Sequence, residues 1–114
     1  MTLKRFAAVL FILAIATFAF AQKNKGPVEK TVTGVVSDAA GNPVQGAVVQ
    51  LKNLKTLQIR SFIAREKGDY IFQGLAADAD WELKATADGK SSKTRTVSTF
   101  DNHVEVTINL QLQP

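Results

Sequence analysis

Val104, Val106, Ile108, Leu110 and Leu112 alternate with Glu105, Thr107, Asn109, Gln111 and Gln113, and five apolar positions at period two predict a strand with one face against a core. The same period runs through 81–87, with Trp81, Leu83, Ala85 and Ala87 on one side and Glu82, Lys84 and Thr86 on the other. Further β-rich runs are expected at 31–37, 47–51, 57–64 and 69–73, where Tyr70 and Phe72 share a face. A polar, Thr-rich strand at 90–98 fits a sheet edge, its lysines discouraging unwanted pairing. Turn formers separate the runs. Asp38, Gly41, Asn42 and Pro43 predict a β-hairpin over 32–51: the Asp38 carboxylate accepts backbone N–H groups, Gly41 and Asn42 tolerate positive φ, and Pro43 sits where no ladder donor is needed. Residues 65–68 and Asp88-Gly89 read as turns and 74–80 as a loop. About seven short strands, with no sustained helical period after residue 22, predict an all-β chain: one antiparallel β-sandwich, immunoglobulin-like and of Greek-key type.

The N-terminus reads differently. Lys4 and Arg5 precede an uncharged stretch over 6–21, and Ala19-Phe20-Ala21 places small residues where an export peptidase inspects them, so cleavage is expected before Gln22. Sixteen uncharged residues fall short of the roughly 20 that span a bilayer. The expected organisation is a signal peptide at 1–21, a polar flexible leader at 22–30 with a Gly-Pro break, and one domain at 31–114. Removing Lys4 and Arg5 takes the net charge from +4 to +2, too small for the concentrated basic face of a nucleic-acid binder. With no cysteine in the chain, disulfides are excluded and apolar burial has to hold the domain.

Candidate chemistry is sparse. His103 is the only histidine and reads as a solvated residue at a loop edge, so no catalytic residue is assigned. A zinc centre needs three N/O/S ligands, and no such set is present; no metal and no cofactor is expected. Asp78, Asp80 and Asp88 lack the glycine and further acidic residue of a calcium loop and read as surface carboxylates. Lys90, Lys93 and Arg95 form a solvated face without the interleaved aromatics of a single-strand binder. Trp81, Tyr70 and Phe72 are expected in the core. Phe62, out of phase with Leu57, Ile59 and Ile63, and Phe100, in a loop beside Asp101-Asn102, are the candidates for an exposed ligand or partner contact.

The spacing G-x-V-x-D-x-x-G-x-P-x-x-G-A-x-V from Gly34 to Val49, the segment Gly68-Asp69-Tyr70-Ile71-Phe72-Gln73-Gly74-Leu75, and Trp81-Glu82-Leu83-Lys84-Ala85 together resemble carboxypeptidase regulatory-like domains. The resemblance implies a transthyretin-like sandwich, related to carbohydrate-binding-like folds. Where the family usually has Thr-Asp before its G-x-Y turn, Ala64-Arg65 stands here, so that turn should be looser or held differently. Such domains accompany peptidases, receptors and adhesins alike. The expectation is a bacterial, exported, non-catalytic binding or scaffolding module, periplasmic or secreted. Its partner would be a protein or carbohydrate of the cell envelope, engaged by end loops or by edge-strand association such as at 90–98, with no nucleic acid and no membrane span once the signal is removed. A carbohydrate-binding module is the alternative, and an undetected hydrolase the third reading.

Overall fold

Period-two patterning becomes alternating burial along β1 (Glu29–Ser37), where Lys30, Val32, Gly34 and Val36 face in. The computed structural model describes residues 28–114; the expected signal peptide and the leader through residue 27 lie outside them. Glu29 and Lys30, expected in the leader, belong to β1. Eight further strands follow: β2 (Val48–Asn53), β3 (Ile59–Ile63), β4 (Asp69–Ala76), β5 (Trp81–Ala87), β6 (Lys90–Ser91), β7 (Arg95–Val97), β8 (Glu105–Thr107) and β9 (Leu110–Gln111). No helix occurs among the described residues. β6 with β7, and β8 with β9, are each one strand interrupted once, which restores the expected count of seven.

The sandwich has one sheet of β4, β1 and β8/β9 and a second of β3, β2, β5 and β6/β7. Val32, Val36, Tyr70, Phe72, Leu75 and Leu110 from the first sheet meet Val49, Leu51, Trp81, Leu83, Ala85 and Val97 from the second in one buried core. The expected all-β sandwich of seven strands is present, with one departure from antiparallel pairing: β8 and β9 run parallel to β1. β7 ends where β1 begins, and the connection over 98–104 enters the other sheet at that same end, so the last strand must follow the direction of β1.

The expected 32–51 hairpin is also corrected. β1 pairs with β4, β8 and β9, whereas β2 pairs with β3 and β5, so the chain crosses between sheets after its turn. A short ladder survives at the bridge between Ser37 and Pro43. Asp38 N–H donates to the Asn42 carbonyl (2.8 Å) and Val44 N–H to the Val36 carbonyl (2.9 Å), and these bonds flank Pro43. Asp38 Oδ1 accepts the N–H groups of Ala40 (3.0 Å) and Asn42 (2.9 Å), and Gly41 has φ 89°; Asn42 keeps negative φ. β4 runs on through Gly74, where a loop was expected, because Gly74 at φ 69° forms a bulge opposite β1 that returns Leu75 to the core. The 65–68 turn is indeed held differently. Arg65 Nε donates to Asp69 Oδ2 at 2.8 Å, and Gly68 N–H to the Arg65 carbonyl at 2.8 Å. Asp88 and Gly89, with φ 51° and 74°, form the expected tight β5–β6 turn.

Acid should loosen the Asp38 turn. The Asn42 N–H holds the Asp38 carboxyl below its ordinary 3.8 against an opposing desolvation, helped by the Ala40 N–H. A carboxyl with a lowered folded pKa contributes stability that is fully present above its unfolded value and is lost as pH falls through the folded value. Urea midpoints should therefore be flat from pH 7 to about 5 and fall below about pH 4. Asp38→Asn should show a shallower fall, and an unchanged slope would refute the assignment.

Candidate binding end

At one end of the sandwich β2, β4 and β7 finish and β1, β5 and β8 begin, which brings loops 54–58, 77–80 and 98–104 together. Buried Asn53 organises the first loop: its Oδ1 accepts the N–H groups of Lys55 (2.8 Å) and Thr56 (3.1 Å), and its carbonyl accepts Leu57 N–H (2.7 Å). Asp80 ties all three loops. Its carbonyl accepts Leu54 N–H at 2.9 Å and its carboxylate accepts Thr99 N–H at 2.7 Å. Buried Lys30 donates through Nζ to the Asp101 carbonyl. The Asp101 carboxylate accepts His103 N–H at 2.9 Å and also contacts the His103 ring. Those two bonds and the charge of Lys30 hold the Asp101 carboxyl below its usual range.

This braced end carries most of the large apolar side chains that reach solvent, set among exposed polar residues such as Lys55, Asp78 and His103. Of eight exposed large hydrophobics among the described residues, Val28, Leu54, Leu57, Phe100 and Val104 lie here, and Phe100 is 96% exposed. Beside Val28 opens a cleft of about 500 Å³ whose lining includes Ala76 and Ala77. Leu57 adds a backbone observation. It has φ 65°, a region that costs a branched residue on the order of 1–2 kcal/mol, and its side chain is 64% exposed, so no burial offsets that cost. Leu57→Asn should raise stability by about 0.5 to 1 kcal/mol, because asparagine tolerates this conformation. A lower melting temperature would show that Leu57 is not strained.

The sequence-derived candidates scatter. Phe100 is exposed at this end. Phe62 is half-buried against the core, packed edge-to-face with Phe72 at a ring-centroid distance of 6.1 Å and with the Arg65 guanidinium 5.7 Å over its ring, so its expected exposure is corrected. Phe62 does lie out of phase with Leu57, Ile59 and Ile63, and it is those three that face solvent. Asp38, Gly41, Asn42 and Pro43 sit at the opposite end. Asp78 pairs with Lys55 at 3.1 Å, Asp80 braces loops and Asp88 makes its turn. Tyr70 and Trp81 are buried, Trp81 Nε1 donating to the Ala76 carbonyl at 3.0 Å. Lys90, Lys93 and Arg95 are exposed on an interrupted edge. The edge at 90–98 is not open along its length: Ser92 breaks it, accepting Ala85 N–H at 2.9 Å through Oγ, and Gln113 N–H closes on the Ser91 carbonyl at 2.9 Å. Leu57 escaped sequence reasoning because nothing in a leucine signals positive φ.

A family model described as the carboxypeptidase regulatory-like domain matches residues 31–113. The chain belongs to the carboxypeptidase regulatory-like domain family. Solved structures of similar fold include catechol 1,2-dioxygenase from Acinetobacter sp. ADP1, at 14% identity and TM-score 0.57, covering 80% of this chain and 54% of that one. The dioxygenase domain of a carbohydrate-binding fusion protein from Streptomyces sp. SirexAA-E shares 16% identity at TM-score 0.55, covering 80% and 83%. BcpA, the major pilin subunit of Bacillus cereus, shares 15% at TM-score 0.58, covering 75% and 30%. At these identities the likeness is one of fold alone, and this carboxypeptidase regulatory-like chain spans about half the length of the Acinetobacter enzyme. No curated protein matches the sequence.

Proposed function

We propose that this carboxypeptidase regulatory-like domain is an exported, non-catalytic module that binds a protein partner in the bacterial cell envelope through the end carrying Leu57 and Phe100. The observation that carries the reading is Leu57, held at φ 65° with its side chain in solvent at the same end of the sandwich as a fully exposed phenylalanine. Strain kept where it gains no burial is explained by a contact that the isolated domain does not make. Leu54, Val104 and Val28, exposed at the same end, are aliphatic, suited to a protein surface. A sugar platform needs ring faces, and Phe100 is the one fully exposed aromatic among the described residues, so the carbohydrate reading has less support. A hydrolase reading rests on His103, an exposed residue that lines none of the clefts around Leu112, Val28 and Arg65.

Two measurements test this. The exported protein should have the mass of residues 22–114, and an intact N-terminus would overturn processing before Gln22. Immobilised wild-type protein should retain an envelope protein that Leu57→Ser/Phe100→Ser does not retain. Equal retention would sink the site. Glycan binding that depends on Phe100 would favour the carbohydrate alternative.

A further inference from the structure

A second surface, independent of the loop end, lies along the free edge of β3. In the β2–β3 ladder Asn53 N–H donates to the Gln58 carbonyl (2.9 Å) and Ala64 N–H to the Ala47 carbonyl (2.8 Å). Hydrogen-bonded pairs recur every second residue in an antiparallel ladder, so Arg60 with Leu51 and Phe62 with Val49 are the bonded pairs between them. The backbone N–H and C=O groups of Ile59, Ser61 and Ile63 therefore point away from β2, along the edge of the sheet. The side chains of the same three residues stand on its outer face, with Ile59 56% and Ile63 65% exposed.

Natural edges are usually blunted by lysine, proline, bulges or covering segments. The other edges here are. β4 carries the Gly74 bulge, and Arg60 Nη1 donates to its Gln73 carbonyl at 3.1 Å. β6/β7 carries Lys90, Lys93 and Arg95 and is interrupted at Ser92; β8/β9 is interrupted between Thr107 and Leu110. β3 has no lysine, no proline and an unbroken register over all five residues, and its one charged side chain, Arg60, is drawn to the inner face by Phe72 and the Gln73 carbonyl, which leaves the outer face of the edge uncharged.

We infer that β3 pairs antiparallel with β3 of a second copy of this chain about a two-fold axis at Ser61. Its sequence, Ile59-Arg60-Ser61-Phe62-Ile63, is self-complementary in that register. Ile59 meets Ile63 of the second copy, Ser61 meets Ser61, and Arg60 meets Phe62, so the outward-facing backbone groups pair among themselves and no like charges stand opposite. A guanidinium opposite a phenyl ring is attractive, and Arg60 already lies 5.9 Å from the Phe72 ring. The two four-stranded sheets become one of eight strands. A single strand pair falls below the roughly 1,000 Å² of a stable interface, so the dimer is weak and forms where the exported protein is concentrated.

The chain has no cysteine, which makes crosslinking clean. Bonded residues facing each other across an antiparallel pair have Cα atoms about 5.5 Å apart, within disulfide reach. Ser61→Cys in the exported protein should oxidise to a disulfide dimer about tenfold faster than Thr86→Cys, which is exposed on the same sheet but away from the edge. Ser61→Lys places two ammonium groups at the axis and should abolish the concentration-dependent dimer of the wild type in sedimentation equilibrium while keeping its melting temperature. Phe100→Ser should leave dimerisation unchanged, which separates this surface from the loop end. Equal crosslinking rates, a wild type monomeric at millimolar concentration, or a dimer indifferent to Ser61→Lys would each overturn the inference.

Discussion

Gly34→Ala is expected to destabilise the domain by about 3 kcal/mol, lowering its melting temperature by roughly 12 °C or more. Gly34 lies between Tyr70 of β4 and Ile108 of the final run. In a regular parallel ladder the Ile108 carbonyl would accept Val35 N–H. Here Val35 N–H donates to Asn109 Oδ1 at 3.1 Å, and the Ile108 carbonyl turns inward to accept the Tyr70 hydroxyl. That rotation is what divides β8 from β9. It is feasible because residue 34 has no side chain: a Cβ there would lie 1.7 Å from the Ile108 oxygen and 2.7 Å from the Tyr70 hydroxyl. Burial pushes the Tyr70 hydroxyl well above its ordinary range, against a small opposing pull from Arg95, so it remains a protonated donor. Tyr70→Phe should cost about 1–3 kcal/mol by leaving a buried carbonyl unpaired. In that background the Ile108 peptide is free to turn back toward β1, so Gly34→Ala should cost at least about 1 kcal/mol less than it does alone. Strict additivity in the double-mutant cycle, or a Gly34→Ala variant within 1 kcal/mol of the wild type, would refute the interlock.

The parts legible in the sequence were those written at short range. Alternation over 81–87 marked an inner face because a half-buried strand must repeat at period two, and Asp88-Gly89 marked its turn because both positions need positive φ. The crossover after β1 was not legible. Two β-rich runs around a turn look the same whether they pair with each other or enter opposite sheets, and the choice is made by distant strands such as β4. Phe62 shows the limit of phase: periodicity says which residues share a side, and only the position of β3 at an edge says that the larger apolar set faces out. The loop end was legible at Phe100, from its place beside Asp101-Asn102, and illegible at Leu57, whose conformation is imposed by the Asn53 turn.

Glycines sharpen the same point, and Gly68→Ala is the second large expected effect, about 2–4 kcal/mol. Gly41 and Gly68 both have positive φ, at 89° and 71°, so any side chain strains the backbone at either position. Their surroundings differ. A Cβ at Gly41 meets nothing within 4 Å, so Gly41→Val should cost only the conformational strain, about 1–2 kcal/mol. A Cβ at Gly68 would lie 2.5 Å from the Val36 carbonyl oxygen and 3.0 Å from the Val44 nitrogen. Those atoms bond each other at 2.9 Å, and Val36 N–H donates to the Gly68 carbonyl at 2.8 Å. Moving aside to admit a methyl group therefore disturbs the crossover and the 65–68 turn together. Urea unfolding of both variants with unchanged m-values should place Gly68→Ala well below Gly41→Val in midpoint, and the reverse order would show that the turn yields without cost. Both glycines lie at the end opposite Leu57 and Phe100, so each variant, while folded, should retain a partner as well as the wild type does. Stability and the proposed binding are thereby expected to separate at opposite ends of one sandwich.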